Sequence, residues 1–137
     1  ILKNIYIETQ LQRSNRIINE LLKKYPGKKA YDLDGRGAHF VCEVEPVSEH
    51  AEYDRAVEVI IASKRHMHLK MTQYYTIFSG TLELHVEEKI IKLQTGDKYT
   101  IKPNNIHWAK SDNECRVEIY STPGWTKEDH IVDLQLI

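Results

Sequence analysis

His66 and His68 stand one residue apart in the run RHMHLKMTQYYTIFSG, Gln73 follows them, and His107 comes later in IKPNNIHWAK. Side chains two apart on an extended segment point to the same face, so His66 and His68 can offer two imidazole nitrogens to one point. Gln73 opens the next strand-like run, and a bend before it would return its amide oxygen toward that point. His107 follows directly on the turn Pro103-Asn104-Asn105. Three imidazoles and one amide oxygen make a four-ligand protein site for a divalent metal ion. Room remains for water or substrate when the ion takes five or six ligands. The competing expectation is three polar side chains lining a barrel with no ion between them.

Such a site needs rigid elements to hold it, and the chain supplies two kinds. Residues 9–25, TQLQRSNRIINELLKKY, place Leu11, Ile18, Leu21, Leu22 and Tyr25 on a helical stripe, and Pro26-Gly27 stops the helix. Lys23, Lys24, Lys28 and Lys29 read as a solvated helix end. After Lys29 the pattern changes to short β-rich runs: AHFVCEVEP, RAVEVIIAS, Gln73 to Ser79, TLELHVE, KIIKL, KYTI and CRVEIYS. Turn signals separate them at Gly35 and Gly37, Ser79-Gly80, Thr95-Gly96-Asp97, Pro103-Asn104-Asn105 and Ser111-Asp112-Asn113. TLELHVEEKIIKLQTGD reads as a hairpin with Leu82, Leu84 and Val86 on one face and His85 on the exposed polar one. Many short strands at even spacing indicate an all-β sandwich or small barrel. The reading is one helical extension, residues 1–30, followed by one β-barrel domain, residues 31–137.

The spacing of the four candidate ligands resembles the two motifs of the cupins. His66-Met67-His68, four residues, Gln73, six residues and Gly80 match the first motif, in which Gln73 stands where the family carries Glu. Gly96, five residues, Lys102-Pro103-Asn104, two residues, His107, three residues and Ser111 match the second. Fifteen residues separate Gly80 from Gly96, similar to the short stretch between the motifs of small bacterial cupins. The resemblance covers about residues 60–111. It implies a cupin jelly-roll barrel with an N-terminal α-helix, one divalent transition metal ion near the barrel centre, and His66, His68, Gln73 and His107 as its ligands. Departures are Ile60 for the leading glycine, Lys102 with Pro103 one step late, Asn104 for a turn glycine, Ser111 for a terminal Asn, and Gln73 for the acid. Asn tolerates positive φ, so the change at Asn104 is mild.

The change at Gln73 touches the chemistry. A neutral amide leaves a divalent ion its full charge, which favours anionic oxygen ligands. It also shifts preference from Mn toward Zn, Ni, Fe or Cu, the imidazole-compatible ions. Cupin precedent includes sugar isomerisation and dioxygen insertion, so the expected function is a metal-dependent enzyme, isomerase-like or dioxygenase-like, on a small oxygen-rich molecule. Isomerisation requires a base, and Tyr75 and an inward Glu58 are the candidate catalytic residues. A non-catalytic ligand-binding or sensing module is the alternative, and a purely structural dimer a third. Cupins commonly pair through sheet faces, and Met67, Leu69 and Tyr74 have outward parity, so a homodimer is expected.

Bulk properties narrow the remaining classes. A chain of 137 residues with formal net charge −1 and interleaved charges has no basic face for nucleic acid. No apolar run reaches the roughly 20 residues of a membrane span. Cys42 and Cys115 lie in apolar runs and read as buried free thiols. ILKNIYIETQ lacks the basic-then-apolar layout of a secretion leader, so a cytoplasmic protein is expected. Thr126 followed by Glu128 and Asp129 reads as a helix start, His130 as exposed, Trp108 as core or interface, and Arg36 as a possible anion contact.

Overall fold

The computed structural model describes residues 7–132. The leader reading made on the opening residues and the closing DLQLI of the barrel region lie outside them. The chain opens with α1 (Gln10–Lys24), capped by Thr9. The Thr9 hydroxyl accepts from Gln12 N at 3.1 Å, and Gln12 Oε1 accepts from Thr9 N at 2.8 Å, a reciprocal capping box. The helix buries Ile17 and Leu21, with Ile18 and Tyr25 packed beside them. Leu11 and Leu22, expected in the same stripe, face solvent because the sheet beneath meets only a narrow strip of the helix.

Ten strands follow: β1 (Lys29–Asp32), β2 (His39–Glu45), β3 (Asp54–Ala62), β4 (His66–Met67), β5 (Thr72–Ser79), β6 (Thr81–Val86), β7 (Lys89–Gln94), β8 (Lys98–Ile101), β9 (His107–Thr122) and β10 (Ile131–Val132). They form one curled antiparallel sheet with the path β1-β2-β3-β9-β4-β10; β5 pairs β8 and β9, and β6 pairs β7 and β9. β9 organises the barrel. Its first residues pair β6, its last residues pair β5, and its opposite edge pairs β3 and β4. The fold is the expected β-barrel with an N-terminal helix.

Several local expectations change. KAYD is a strand, so the Gly35–Gly37 turn closes a β1–β2 hairpin rather than leading into a first strand. Ser111-Asp112-Asn113 lies inside β9. The strand changes partners there, its register with β3 breaks between the Ile60 and Ala62 pairings, and Ser111 Oγ donates to Thr81 O at 2.7 Å. A segment that swaps neighbours at a bend carries the polar residues of a turn without reversing direction. Thr126 caps a single turn, not a helix, and the chain then enters β10. Arg36 pairs with Asp34 at 2.7 Å. Cys42 and Cys115 are buried free thiols, and burial pushes the Cys115 thiol up to about 11.

Two apolar clusters flank the β2–β3 pair. One fills the barrel and contains Ile60, Tyr75, Ile77, Leu82, Leu84, Val117 and Ile119. The other lies under α1 and contains Ile17, Leu21, Phe40, Cys42, Val44, Val57 and Val59. Strand alternation makes the second cluster decisive for the site. With Phe40, Cys42 and Val44 turned out beneath the helix, His39, Val41, Glu43 and Glu45 must turn in. With Val57 and Val59 out, Asp54, Ala56 and Glu58 turn in. The helix thereby commits a polar face to the barrel interior. Phe40, fully buried under α1, tests this division. Phe40→Ala should cost about 3–5 kcal/mol in denaturant unfolding. A loss below about 1 kcal/mol would show that α1 does not close a real core.

Candidate metal centre

β4 is only two residues long, yet it is clasped on both edges. His66 lies opposite His107 of β9 on one side and opposite Val132 of β10 on the other. The second-motif turn is tied to the first motif directly, since Asn104 N donates to His68 O at 2.7 Å. Asn104 adopts φ +67°, the conformation for which Asn is tolerated in place of glycine. Gln73, at the start of β5, is in register with Ile101 of β8 and Ser121 of β9. These pairings bring together four residues that span 42 positions of sequence, 66 to 107.

His66, His68, Gln73 and His107 are 9%, 3%, 7% and 1% exposed. The three imidazoles each offer a nitrogen within 4.8 Å of the others, close enough for one ion. Every Nδ1 faces a main-chain carbonyl oxygen: His66 to Lys64 O at 2.7 Å, His68 to Asp129 O at 3.1 Å, and His107 to Asn105 O at 2.9 Å. A carbonyl only accepts, so each Nδ1 carries the proton. Burial holds all three rings neutral: His68 and His107 are pushed down to about 4, and His66 well below its usual range. Neighbouring imidazoles add to the depression of His66 and His68. A neutral ring protonated at Nδ1 presents a bare lone pair at Nε2, the state a metal ligand requires.

Two further observations fit an ion. Among the described residues, His68 Nε2 is buried with no hydrogen-bond partner. His107 Nε2 lies 3.1 Å from Gln73 Oε1, so a lone pair faces an amide oxygen. Two acceptors at that separation do not bond each other, but neighbouring ligands of one cation with bonds near 2.1 Å stand ~3 Å apart. The donor set of three imidazoles and one carbonyl oxygen suits Zn, Ni, Cu or Fe.

The centre opens on a cavity of about 350 Å³ lined by His66, His68, Gln73, Tyr75, Glu58 and His39, among others. Glu58 and Gln73 also line an adjoining chamber of about 130 Å³ beneath β1 and β2. Both sequence candidates for catalysis therefore face this space. Tyr75 is buried, and burial, with the Glu58 charge adding, pushes its phenol far up; it can donate a proton but does not serve as a base. Glu58 Oε1 lies 2.5 Å from His39 Nε2.

Three residues at the site escaped the sequence reading. His39 opens β2 inside a run read only as β-rich, and its parity with Val41 was the available signal. Asp129 was read as an acid in a helix turn, but its carboxylate accepts from Leu69 N and Lys70 N at 2.9 Å and Met71 N at 3.1 Å. His130, expected to be exposed, is half-buried in the cavity wall, stacked on His66 at 5.0 Å between centroids. Its Nδ1 accepts from the Trp125 indole N–H at 3.2 Å, so its tautomer is opposite to that of the other three. Burial lowers its pKa as well. His85 is not simply exposed either. It stacks on Trp108 at 3.8 Å and bonds Glu83 at 2.7 Å, on the outer face.

Comparison with known proteins agrees with this architecture. Residues 58–122 match the family described as the cupin domain, and the chain resembles a small single-domain cupin. No curated protein matches it by sequence. Among solved structures it is similar to Pac13, a nucleoside dehydratase from Streptomyces, with TM-score 0.67 and 12% identity over 80% of this chain and 87% of that one. Ectoine synthase from P. lautus gives TM-score 0.64 and 11% identity over 82% and 86%. KdgF from Halomonas sp. gives 0.61 and 15% over 74% and 91%. At these identities the likeness establishes the fold. Among the described residues no helix is long and apolar enough to cross a membrane.

The buried neutral imidazoles imply a definite pH response. In the unfolded chain they take up protons near pH 6.5, whereas in the folded chain His68 and His107 resist protonation until about pH 4 and burial holds His66 well below its usual range. The unfolded state then binds more protons throughout that window, so stability falls as pH falls from about 7 to 4. The melting temperature of chelator-treated protein should drop steadily across that range and level off above pH 7.5. A flat profile would contradict the neutral, buried assignment.

Proposed function

We propose that this chain is a metal-dependent enzyme acting on a small, oxygen-rich, anionic substrate, with His66, His68, Gln73 and His107 as the protein ligands of one divalent ion. The observation that carries the reading is the convergence of one nitrogen from each of His66, His68 and His107, with Gln73 Oε1 beside His107 Nε2, next to a cavity that His66, His68 and Gln73 line together with the Glu58 carboxylate. When bound, the ion supplies Lewis-acid polarisation of a substrate carbonyl or carboxylate. Neutral ligands leave its charge undiminished, which favours an anionic oxygen donor from the substrate.

The chain's own residues favour proton transfer over dioxygen insertion. Glu58 is a carboxylate in the cavity, oriented by His39, and can remove a proton from a carbon next to a polarised carbonyl. Returning that proton to the neighbouring carbon or oxygen completes an isomerisation. Tyr75, held protonated, offers a hydroxyl to a substrate oxygen. Apolar Ile60 and Ile119 in the wall restrict water around the reacting atoms. Dioxygen insertion would need none of this acid–base equipment.

Elemental analysis of purified protein should find one equivalent of Zn, Ni, Fe or Cu per chain, absent from His68→Ala. Chelation should lower the melting temperature by roughly 5–10 °C. Protein free of metal and indifferent to chelator would overturn the proposal. On a panel of aldoses, ketoses and hydroxy-keto acids, Glu58→Gln should keep its metal and lose ~10²–10⁴-fold in kcat. Wild-type turnover by that variant would remove Glu58 from the mechanism.

A further inference from the structure

The loop that carries His68 out of β4 has an unusual main chain. Three consecutive amides, Leu69, Lys70 and Met71, aim at one point, and the Asp129 carboxylate fills it: Oδ1 accepts from Leu69 and Lys70, Oδ2 from Met71. Successive N–H groups arranged this way form a concave anion-binding nest. The same residue uses its main-chain oxygen to accept the His68 Nδ1 proton. One side chain and one carbonyl of Asp129 thus make four hydrogen bonds to four successive residues, 68 to 71, from a position about sixty residues downstream. Asp129 is buried, as is Met71. The neighbouring residues reinforce the contact. Ile131 and Val132 pair with Met67 and His66, and His130 stacks on His66 under a hydrogen bond from Trp125.

We infer that Asp129 is a positioning residue for the metal centre: the segment from Trp125 to Val132 is a clasp that sets the orientation of His68 and the path of the loop behind it. The inference rests on the metal reading of the three histidines and extends it to a segment outside both sequence motifs. His66 and His107 draw their Nδ1 acceptors from residues two positions earlier in their own chain segment, Lys64 and Asn105. His68 alone draws its acceptor from a remote element. Without the Asp129 carboxylate, the loop that fixes the direction of the His68 ring would lose its anchor, and the main-chain carbonyl that fixes the ring's tautomer would lose the tie that places it. Acceptors that orient metal-bound imidazoles typically contribute 10–100-fold in metal affinity. Binding linkage is reciprocal, so a bound ion must in turn hold the clasp shut.

The test is a titration of metal-free protein with Co2+ or Zn2+, compared with Asp129→Ala, Asp129→Asn and the exposed neighbour Glu128→Gln. Glu128→Gln should bind as wild type does. Asp129→Ala should bind 10–100-fold more weakly. Asp129→Asn, which keeps an oxygen for Leu69 and Lys70, should fall between. Hydrogen exchange of the wild-type chain provides a measure that does not depend on any variant folding: Zn2+ should slow the amides of Leu69, Lys70 and Met71. A wild-type chain with no affinity for either ion would overturn the metal reading, and this inference with it. Tight binding by wild type with equal binding by Asp129→Ala, or exchange at 69–71 unchanged by Zn2+, would overturn the clasp alone.

Discussion

Three N–H···O=C bonds from imidazole to main chain hold the centre of this molecule in its working form. Each takes the Nδ1 proton of a buried histidine and leaves Nε2 bare. The alternative tautomer would turn a proton toward the convergence point and forbid coordination. Burial alone cannot choose between tautomers, because both are neutral. The choice belongs to the carbonyls, and the carbonyls are placed by strand pairing. The β4–β9 pairing sets His66 opposite His107, and the bond from Asn104 N to His68 O locks the two motif turns together.

The helix and the centre look like separate parts of the molecule, but alternation links them. α1 supplies an apolar cover for the outer face of β2 and β3, and only under that cover can Phe40, Cys42 and Val44 leave the barrel. Their departure turns His39, Glu43 and Glu45 inward, while Asp54 and Glu58 turn inward from β3. A barrel that would otherwise close on an all-apolar core acquires a polar wall, of which His39 and Glu58 line the same cavity as His66 and His68. Ion pairs of Arg16 with Glu114 and of Arg116 with Glu20 join the helix to β9, though such partly exposed pairs contribute little beside the buried aliphatic contacts.

A glutamine in place of an acid gives the centre its chemical character. A carboxylate ligand would neutralise part of the ion's charge and could shuttle a proton. Gln73 can do neither, so in the proposed reaction proton transfer comes from another wall. Glu58 and His39 occupy that wall, and Gln73, like Glu58, lines both chambers. In the proposed reaction the ligand role and the acid–base role fall to different groups, so the imidazoles stay proton-free while Glu58 takes up and returns the proton.

His66, His68, Gln73 and His107 were legible from residue type and spacing, as were the hairpin of β6 and β7, the helix and its stop, and the barrel class. These rest on local rules: period two in strands, capping and breaking residues, and the geometry of short turns. Tertiary structure decided what local rules do not reach. Which face of β2 and β3 points inward depended on a helix packing over them, so His39 stayed hidden in a run legible only as a strand. Ser111–Asn113 carried turn residues but became the bend of a strand that exchanges partners. Asp129 and His130 entered the site because β10 adds to β4, a pairing between elements some sixty residues apart that leaves no periodic trace in either. The sequence by itself nominated the four side chains proposed as ligands. Long-range pairing decided the tautomer, the cavity wall and the segment that holds His68, because those depend on contacts between residues that composition and spacing leave unconnected.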